Sequence, residues 1–549
     1  MDPQPTLRGF ARQLWRLAHL VQVAETRRSF RAKAYRAAIW ALDDLPSLDA
    51  PDDVVLATPG IGPGVKALIA GYRETGDLKQ LVALEETYPR EAPVLRRLPR
   101  MTPRILRDLK AELGVETRSD LVDAADSGAA LSVRGVGEQT LDLWVNVLSL
   151  SPDDISTPAH RAWVMAGEMA AHVARHTGTD VAIAGEVRRV EEWVGRIDLV
   201  VVTSDRAAVA GFLESMAALD SVATSSETNV EATTHGGLPV VFHLASSDAA
   251  GSVLVATTGP PSHASLFSAL PPAADEESVY SQAGLPWIPP PARALSPEEA
   301  TRVVTVDDLR GDLHLHSDSS PDGRMTIEMI LETATKRGYE YVLMTDHTQG
   351  LRFGGLGEAD LASQAVFIDR LRSRFPELVV FHGAELNIDR DGSLDIDDEA
   401  LARLDFAVAG VHSHFGLSRD EQTKRVVAAL AHPTVRVLAH PFGRRIGIRP
   451  PLEIDMARVI EEAISHDVAL ESNGHRDRLD LSAEWVARAA DLGALLAANS
   501  DAHRLPEMAN VSNAVATLQR AGVGPDRVVN TRSVELLREW LEIGSSAAT

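Results

Sequence analysis

The sequence predicts a multidomain chain, α+β in its first part and α/β in its last, ending in a parallel barrel of seven strands. Three observations carry this reading. The chain has 549 residues, more than one hydrophobic core fills, and about 100–200 residues per domain gives roughly three or four domains. The first 150 residues read as helical apolar patterns separated by short glycine-containing turns. Beyond residue 308, apolar runs recur and each ends in His, Asp or Glu; the markers His316, His347, Glu385, His412, His440, Glu471 and Asp501 stand 27 to 38 residues apart. That spacing is the length of a strand, a helix and two loops, and ligands at strand C-terminal ends are where parallel barrels place their sites.

Composition narrows the chemistry. The hydrophobic share of 45% is that of an ordinary globular protein. No stretch approaches 18 apolar residues and the N-terminal segment is interrupted by charge, so we expect a cytoplasmic protein with no membrane partner. With no cysteine, any metal must sit on His, Asp or Glu. The net charge of −24 is unevenly spread: residues 1–150 hold 20 Lys+Arg and 20 Asp+Glu, and residues 151–549 hold 34 against 58. The first 40 residues carry 8 basic and 2 acidic side chains, which reads either as a phosphate-touching edge or as a solvated helix face.

The first domain, 1–88, contains "SFRAKAYRAAIWALDDL", with Phe30, Ala34, Tyr35, Ala38 and Leu42 at helical spacing, and "TPGIGPGVKALIAGYRETGDL", with Gly60, Gly62 and Gly64 between two helical patterns. Glycines there permit positive φ and leave backbone N–H groups open at a helix start, a natural phosphate cradle. The second domain, 89–150, repeats the pattern at Gly135 and Gly137; "LPRMTPRILRDLKAELGV" has the same outline with Arg100 and Thr102 in place of glycines. These are helix-hairpin-helix elements, and their order resembles the N-terminal and fingers domains of bacterial family X DNA polymerases. The resemblance implies DNA contact through Gly60, Gly62, Gly64, Lys66, Gly135 and Gly137. It implies no lyase chemistry, because Leu68 stands where some members carry a lysine.

In 151–290 the strand of "GEVRRVEEWVGRIDLVVV" places Arg196 and Asp198 on one face, since residues two apart on a strand point the same way. The stretch resembles the palm and thumb of the same family, a nucleotidyltransferase-like domain in which paired aspartates hold two metals. Here Arg196 stands at the first aspartate, Val241 at the third, and Glu186 at the serine of the triphosphate turn. A guanidinium 4 Å from a divalent ion opposes it by roughly 8 kcal/mol at an effective dielectric near 20. The resemblance therefore implies a polymerase site that has lost its metals, with Arg196 in a strand ion pair.

A Pro-rich linker, 291–307, leads to the last domain, 308–549. Its motifs "DLHLHSDSSPDG", "YVLMTDH", "LVVFHGAELNI", "FAVAGVHSH", "VRVLAHP", "VALESNG" and "LLAANSDAH" bring many imidazoles and carboxylates to one rim, a donor set suited to Zn or Mn. They resemble the PHP (polymerase and histidinol phosphatase) domain. The resemblance implies a seven-stranded (β/α) barrel and nine ligands: His314, His316, Asp322, His347, Glu385, His412, His440, Asp501 and His503. It implies three ions of Mn or Zn, one on His314, His316, Glu385 and Asp501, one on Glu385, His412 and His440, and one on Asp322, His347 and His503. His314, His316, Glu385 and Asp501 would carry the catalysis, with Asp346 behind His347. Arg352, Arg444 and Arg445 lie in loops after rim motifs and read either as substrate-phosphate contacts or as solvated arginines. His382, His414 and Asn473 match no ligand position.

The reading that follows is a metal-dependent DNA 3′-end-processing nuclease or phosphoesterase: a 3′-to-5′ exonuclease, 3′-phosphatase or abasic-site endonuclease. Its partner would be DNA with 3′ ends, gaps or abasic sites, and the chain would act as a monomer without polymerase activity. The alternatives are a small-molecule phosphatase of histidinol-phosphatase type and a non-catalytic DNA-end scaffold.

Overall fold

The computed structural model describes residues 5–25, 29–96, 98, 100–149, 156–351 and 354–546. The chain forms two compact units: Met1–Thr258 with Leu270–Val279 and Gly447–Pro450, and Gly259–Ala269 with Tyr280–Ile446 and Pro451–Thr549. Among the described residues no helix is long and apolar enough to cross a membrane.

The first unit begins with helices. In Leu7–Ala24 the buried side chains Phe10, Leu14, Leu17 and Val21 recur every three or four residues, and the Thr6 hydroxyl accepts the Gly9 N–H at the N-terminus. Three turns of the same build follow, in which Ile61 N–H donates to Thr58 O, Met101 N–H to Leu98 O and Val136 N–H to Val133 O. Each has a left-handed residue, Gly60 (φ 93°), Arg100 (φ 61°) and Gly135 (φ 98°). The second turn thus keeps its geometry without glycine, at a steric cost of about 1–2 kcal/mol for a non-glycine residue. Helix Pro63–Thr75 starts after Gly62, and helix Pro103–Leu113 starts under the Thr102 hydroxyl, which accepts the Ile105 N–H. Behind them a five-stranded sheet runs in the order Asp180–Ala184, Ile197–Val202, Pro239–Ala245, Asn229–Thr234, Leu219–Ser225. One apolar core extends from Phe10 through Trp144 to Leu244.

The second unit is built on parallel strands. A three-stranded sheet orders Val379–His382, Tyr341–Met344, Gly311–Leu315, and a five-stranded sheet orders Glu385–Asn387, Ala407–Gly410, Val435–Leu438, Ala469–Asn473, Leu496–Asn499. Isolated parallel bridges, His347 to Glu385 and Leu315 to Ala502, join the two sheets at both ends. Between Val379–His382 and Glu385–Asn387 position 383 has room for glycine alone, because a Cβ on Gly383 would lie 2.5 Å from Phe406 O. Strand residues alternate between two cores: Leu313, Leu343, Phe381, Val408, Val437, Ala469 and Ala497 share one, while Ala409, Leu438, Leu470, Leu496 and Ala498 pack in another. Burial of both faces is what helix-flanked parallel strands require. The helices supply matching stripes, such as Met456, Val459, Ile460 and Ala463 of Met456–Ser465.

Candidate metal centre

Every sequence-predicted ligand of the second unit except Asp322 lies in a strand or within four residues of a strand's C-terminal end. His314 is inside Gly311–Leu315 and His316 follows it; His347 follows Tyr341–Met344; Glu385 opens Glu385–Asn387. His412, His440 and Asp501 each stand two residues beyond a strand, and His503 follows. Convergence of strand ends brings all of these side chains together.

Glu385 is the hub. Its Oε2 lies 3.2 Å from His314 Nε2, 3.4 Å from His316 Nε2 and 2.9 Å from His347 Nδ1. Its Oε1 lies 3.0 Å from His412 Nε2 and 2.8 Å from His440 Nε2. Asp501 Oδ1 stands 3.4 Å from His316 Nε2 and 3.7 Å from both His314 Nε2 and His503 Nδ1. Asp322, more exposed than the rest, lies 3.4 Å from His503 Nε2 and 3.9 Å from His347 Nε2. Three groups have donor atoms close enough to share an ion: His314, His316 and Asp501; His347, Glu385 and His412; and His316, His347 and His503.

The donor set fits divalent metal. Ligands at 2.0–2.1 Å on a tetrahedron are ~3.3 Å apart, and most of these separations fall near that value. His314 Nε2, His316 Nε2, His347 Nδ1, His412 Nε2, His503 Nε2 and Glu385 Oε2 are all buried and make no hydrogen bond within the protein. Six buried polar atoms that face only one another and neighbouring carboxylates, without a hydrogen bond, would be costly unless a cation joins them. A Cβ on Gly410 would come within 2.9 Å of His440 Cε1 and 3.0 Å of Glu385 Oε1, so glycine is what leaves the hub its room. His440 and Asp501 hold φ of 28° and 52°, strain of the kind that collects at functional sites.

The electrostatics sort the protons. Burial opposes ionisation of Glu385, but the His412, His314 and His347 imidazoles hold it well below the usual carboxylate range. Burial, with the His503 and His347 rings alongside, pushes His316 well below its ordinary value. Burial and the Arg478 charge push His440 down to about 4. These rings are therefore neutral at neutral pH, the form that binds metal. Burial also works against charging His314 and His503, yet Glu471, Glu385 and Asp501 raise the first, and the neighbouring Asp322 and Asp501 carboxylates push the second up to about 9.

A surrounding shell fixes the rings. Glu471, which sequence reasoning used only as a strand marker, bonds His314 Nδ1 at 2.7 Å. It also accepts from His440 N–H at 2.7 Å, Asn473 Nδ2 at 3.0 Å and Asn499 Nδ2 at 2.9 Å. Asn473 donates to Asp501 Oδ2 as well, at 3.0 Å. Asp346 accepts from Ser317, Ser320 and Gln364. Ser320 Oγ in turn meets His316 Nδ1 at 3.3 Å and accepts the His347 backbone N–H at 3.0 Å, so through this serine Asp346 reaches both the His316 ring and the His347 backbone. Such outer partners set tautomer and orientation.

The strand Ile197–Val202 of the first unit presents a contrasting site. Asp198, 2% exposed, has Oδ2 3.0 Å from Arg196 Nε and Oδ1 2.9 Å from His243 Nε2, and His243 Nδ1 is held by Asn229 Oδ1 at 3.1 Å. Val241 is the register partner of Asp198 on the adjacent strand, where it supplies no oxygen. Glu186 accepts the Gly195 N–H at 2.7 Å and the Arg196 N–H at 3.3 Å, filling the turn with its own carboxylate.

No protein-family model matches the chain. It is 29% identical, over 93% of its length and 95% of the relative's, to the DNA polymerase/3′-5′ exonuclease PolX of Bacillus subtilis (strain 168). The chain is PolX-like. Its C-terminal part alone is similar to smaller proteins: a probable phosphatase of Syntrophotalea carbinolica, 28% identical over 42% of this chain and 95% of the relative, and the probable phosphatase YcdX of Escherichia coli (strain K12), 28% identical over 41% and 91%.

In this PolX-like chain a Cβ on Gly62, Gly64 or Gly137 would meet nothing within 4 Å, so the backbone there is open, and Lys66 pairs with Asp52 at 2.8 Å. Arg444 donates to the carbonyls of Arg478 and Leu479, and Arg445 pairs with Asp477. Arg352 lies outside the described residues. His414 is exposed, and both ring nitrogens of buried His382 lack a hydrogen-bond partner. Sequence reasoning missed Arg478, whose Nε reaches Asp501 Oδ2 at 3.2 Å. Its signal was the charged loop "GHRDRLD" directly after the Glu471 strand.

Proposed function

We propose that the chain is a metal-dependent phosphoesterase that processes DNA 3′ ends through its C-terminal unit, while the polymerase-like core holds DNA without polymerising. The observation that carries this is a set of six buried ligand atoms, Glu385 Oε2 and five imidazole nitrogens, that make no hydrogen bond in the protein, set against Asp198, whose two oxygens are both taken. We read the three turns of the first unit as helix-hairpin-helix elements presenting open backbone N–H groups to phosphates. The parallel strands of the second unit form, on this reading, one seven-stranded barrel in which Val379–His382 and Glu385–Asn387 are a single bent strand. The names of the relatives, a DNA polymerase/3′-5′ exonuclease and two probable phosphatases, agree with hydrolysis of phosphoesters, and the polymerase named in the first is what Arg196 and Val241 speak against here.

His314, His316, Glu385 and Asp501, with Asp322, His347, His412, His440 and His503, would hold two or three ions of Mn or Zn. Bound there, the ions would lower the pKa of a water and neutralise charge on the phosphate oxygens. The chain's own part is to keep His316 and His440 unprotonated, to aim His314 through Glu471, and to exclude bulk water from a pocket whose donors are almost wholly buried. A small phosphomonoester is the second reading, because the phosphatase relatives align with the C-terminal part alone; rates with and without DNA separate the two.

The test is incubation with Mn and labelled 3′-recessed, gapped and 3′-phosphate DNA. We expect shortening or dephosphorylation of 3′ ends, abolished in His314→Ala and Asp501→Ala. No end processing by the wild type, or unchanged rates in both variants, defeats the reading.

A further inference from the structure

Arg478 stands in the loop 475–480, which leaves the C-terminal end of the strand carrying Glu471. It is the only guanidinium among the described residues in an ion pair with one of the proposed ligands, Asp501. The other carboxylates nearby are committed elsewhere. Asp477 accepts from Arg445 Nε at 2.8 Å and meets His475 Nδ1 at 2.7 Å. Asp480 accepts the backbone N–H groups of Phe442 at 3.2 Å and Arg444 at 3.4 Å. Asp501 is thus the one direct ion-pair partner of Arg478 among the described residues, and its Oδ2 is shared with Asn473.

That partnership would change with metal bound. His314, His316 and Asp501 could hold a cation, which would neutralise the carboxylate that Arg478 relies on. A guanidinium cannot release its proton to compensate. Its Nη1 is buried and without a hydrogen-bond partner, while the side chain keeps 17% of its surface open. A fixed positive charge beside a cluster that collects divalent ions is unfavourable until an anion arrives, and a guanidinium's fork of N–H groups matches two oxygens of a phosphate.

We propose that Arg478 is a phosphate-binding residue of this centre, gripping non-bridging oxygens of the phosphate under attack. The assignment rests on reading the cluster as a phosphoesterase site. It also gives Arg444 a role, since its bonds to the Arg478 and Leu479 carbonyls hold the loop that presents the guanidinium.

Inorganic phosphate is the probe. The full chain, loaded with Mn, is titrated with phosphate by calorimetry, and bound metal is measured by elemental analysis in wild type, Arg478→Gln and Arg478→Lys. We expect phosphate affinity to fall about ten- to a hundred-fold in Arg478→Gln and less in Arg478→Lys, as for a lost charge-assisted hydrogen bond, with metal content unchanged in both. Wild-type phosphate affinity in both variants overturns the assignment, as does a loss that merely follows lost metal, or a loaded wild type that binds no phosphate. Arg478→Lys keeps the charge and guards against misfolding of the glutamine variant. If the wild type binds phosphate through Arg478 yet hydrolyses no ester, the anion site stands and the proposed function falls. If it hydrolyses DNA ends while Arg478→Gln binds phosphate normally, only the assignment of Arg478 falls.

Discussion

Asp198 and Glu385 are both buried carboxylates on strands of a sheet, each surrounded by basic side chains, and those neighbours leave them with opposite capacities. Asp198 meets one guanidinium and one imidazole that is itself held by Asn229. Glu385 meets five imidazoles on its two oxygens. At Asp198 a permanent cation takes one oxygen and a held imidazole the other, so neither is left for metal; at Asp501 the guanidinium of Arg478 takes only Oδ2, and Oδ1 stays beside the histidines. Histidine can give up its proton and become a ligand, so the crowd around Glu385 is a donor set. What differs is whether an oxygen remains free and whether its neighbours can shed their charge.

The largest effect that would break this contrast comes from the hub. Glu385→Ala removes the carboxylate that faces five imidazoles, and we expect bound Mn to drop and DNA 3′-end hydrolysis to fall ~10³-fold, the loss of several kcal/mol of transition-state stabilisation. Metal analysis beside a kinetic assay checks it; activity within tenfold of wild type would mean that the imidazole crowd around Glu385 is not the reaction centre. A smaller effect is expected from Glu471→Gln. It keeps the shape but weakens the acceptor that orients His314, and outer-shell changes of this kind cost about 10–100-fold in metal affinity or activity. A competitive chelator titration measures it, and wild-type affinity would reduce Glu471 to a packing residue.

How much of this was legible beforehand depends on the distance over which each signal acts. The clustered His, Glu and Asp side chains proposed as ligands were visible because most follow an apolar run, and strand-end placement needs only local pattern. The three-ion partition was less so: the structure groups His316 with His347 and His503, leaving Asp322 at the margin. Gly410 and Glu471 were not legible as site residues, because their roles arise from neighbours on or just beyond other strands 30 and 157 residues away, His440 across from one and His314 from the other. Asp346 illustrates the same limit. Next to His347 in sequence, it reaches the ring of His316 through Ser320, and His347 only at its backbone N–H, since adjacent residues near a strand end face different ways. The retention of the second turn was hidden too, because Arg100 adopts a left-handed backbone that composition would assign to glycine.

The smallest expected effect tests the sealed side of the contrast. The Arg196 side chain is 55% exposed, so its pair with Asp198 is screened by solvent, and Arg196→Ala should cost at most ~1 kcal/mol in urea unfolding. The substitution frees Asp198 Oδ2, but Val241 still offers no oxygen and His243 still holds Oδ1. We therefore expect no Mn bound at this strand and no labelled nucleotide incorporated on a primed template, in the variant or in the wild type. Incorporation by the wild type would show that a single aspartate suffices and that Arg196 does not close the site. Incorporation by Arg196→Ala alone would show the reverse, that the guanidinium is the whole of the seal. A loss of several kcal/mol would instead make the pair part of the core, so that the arginine persists for the fold and not as a replaced ligand.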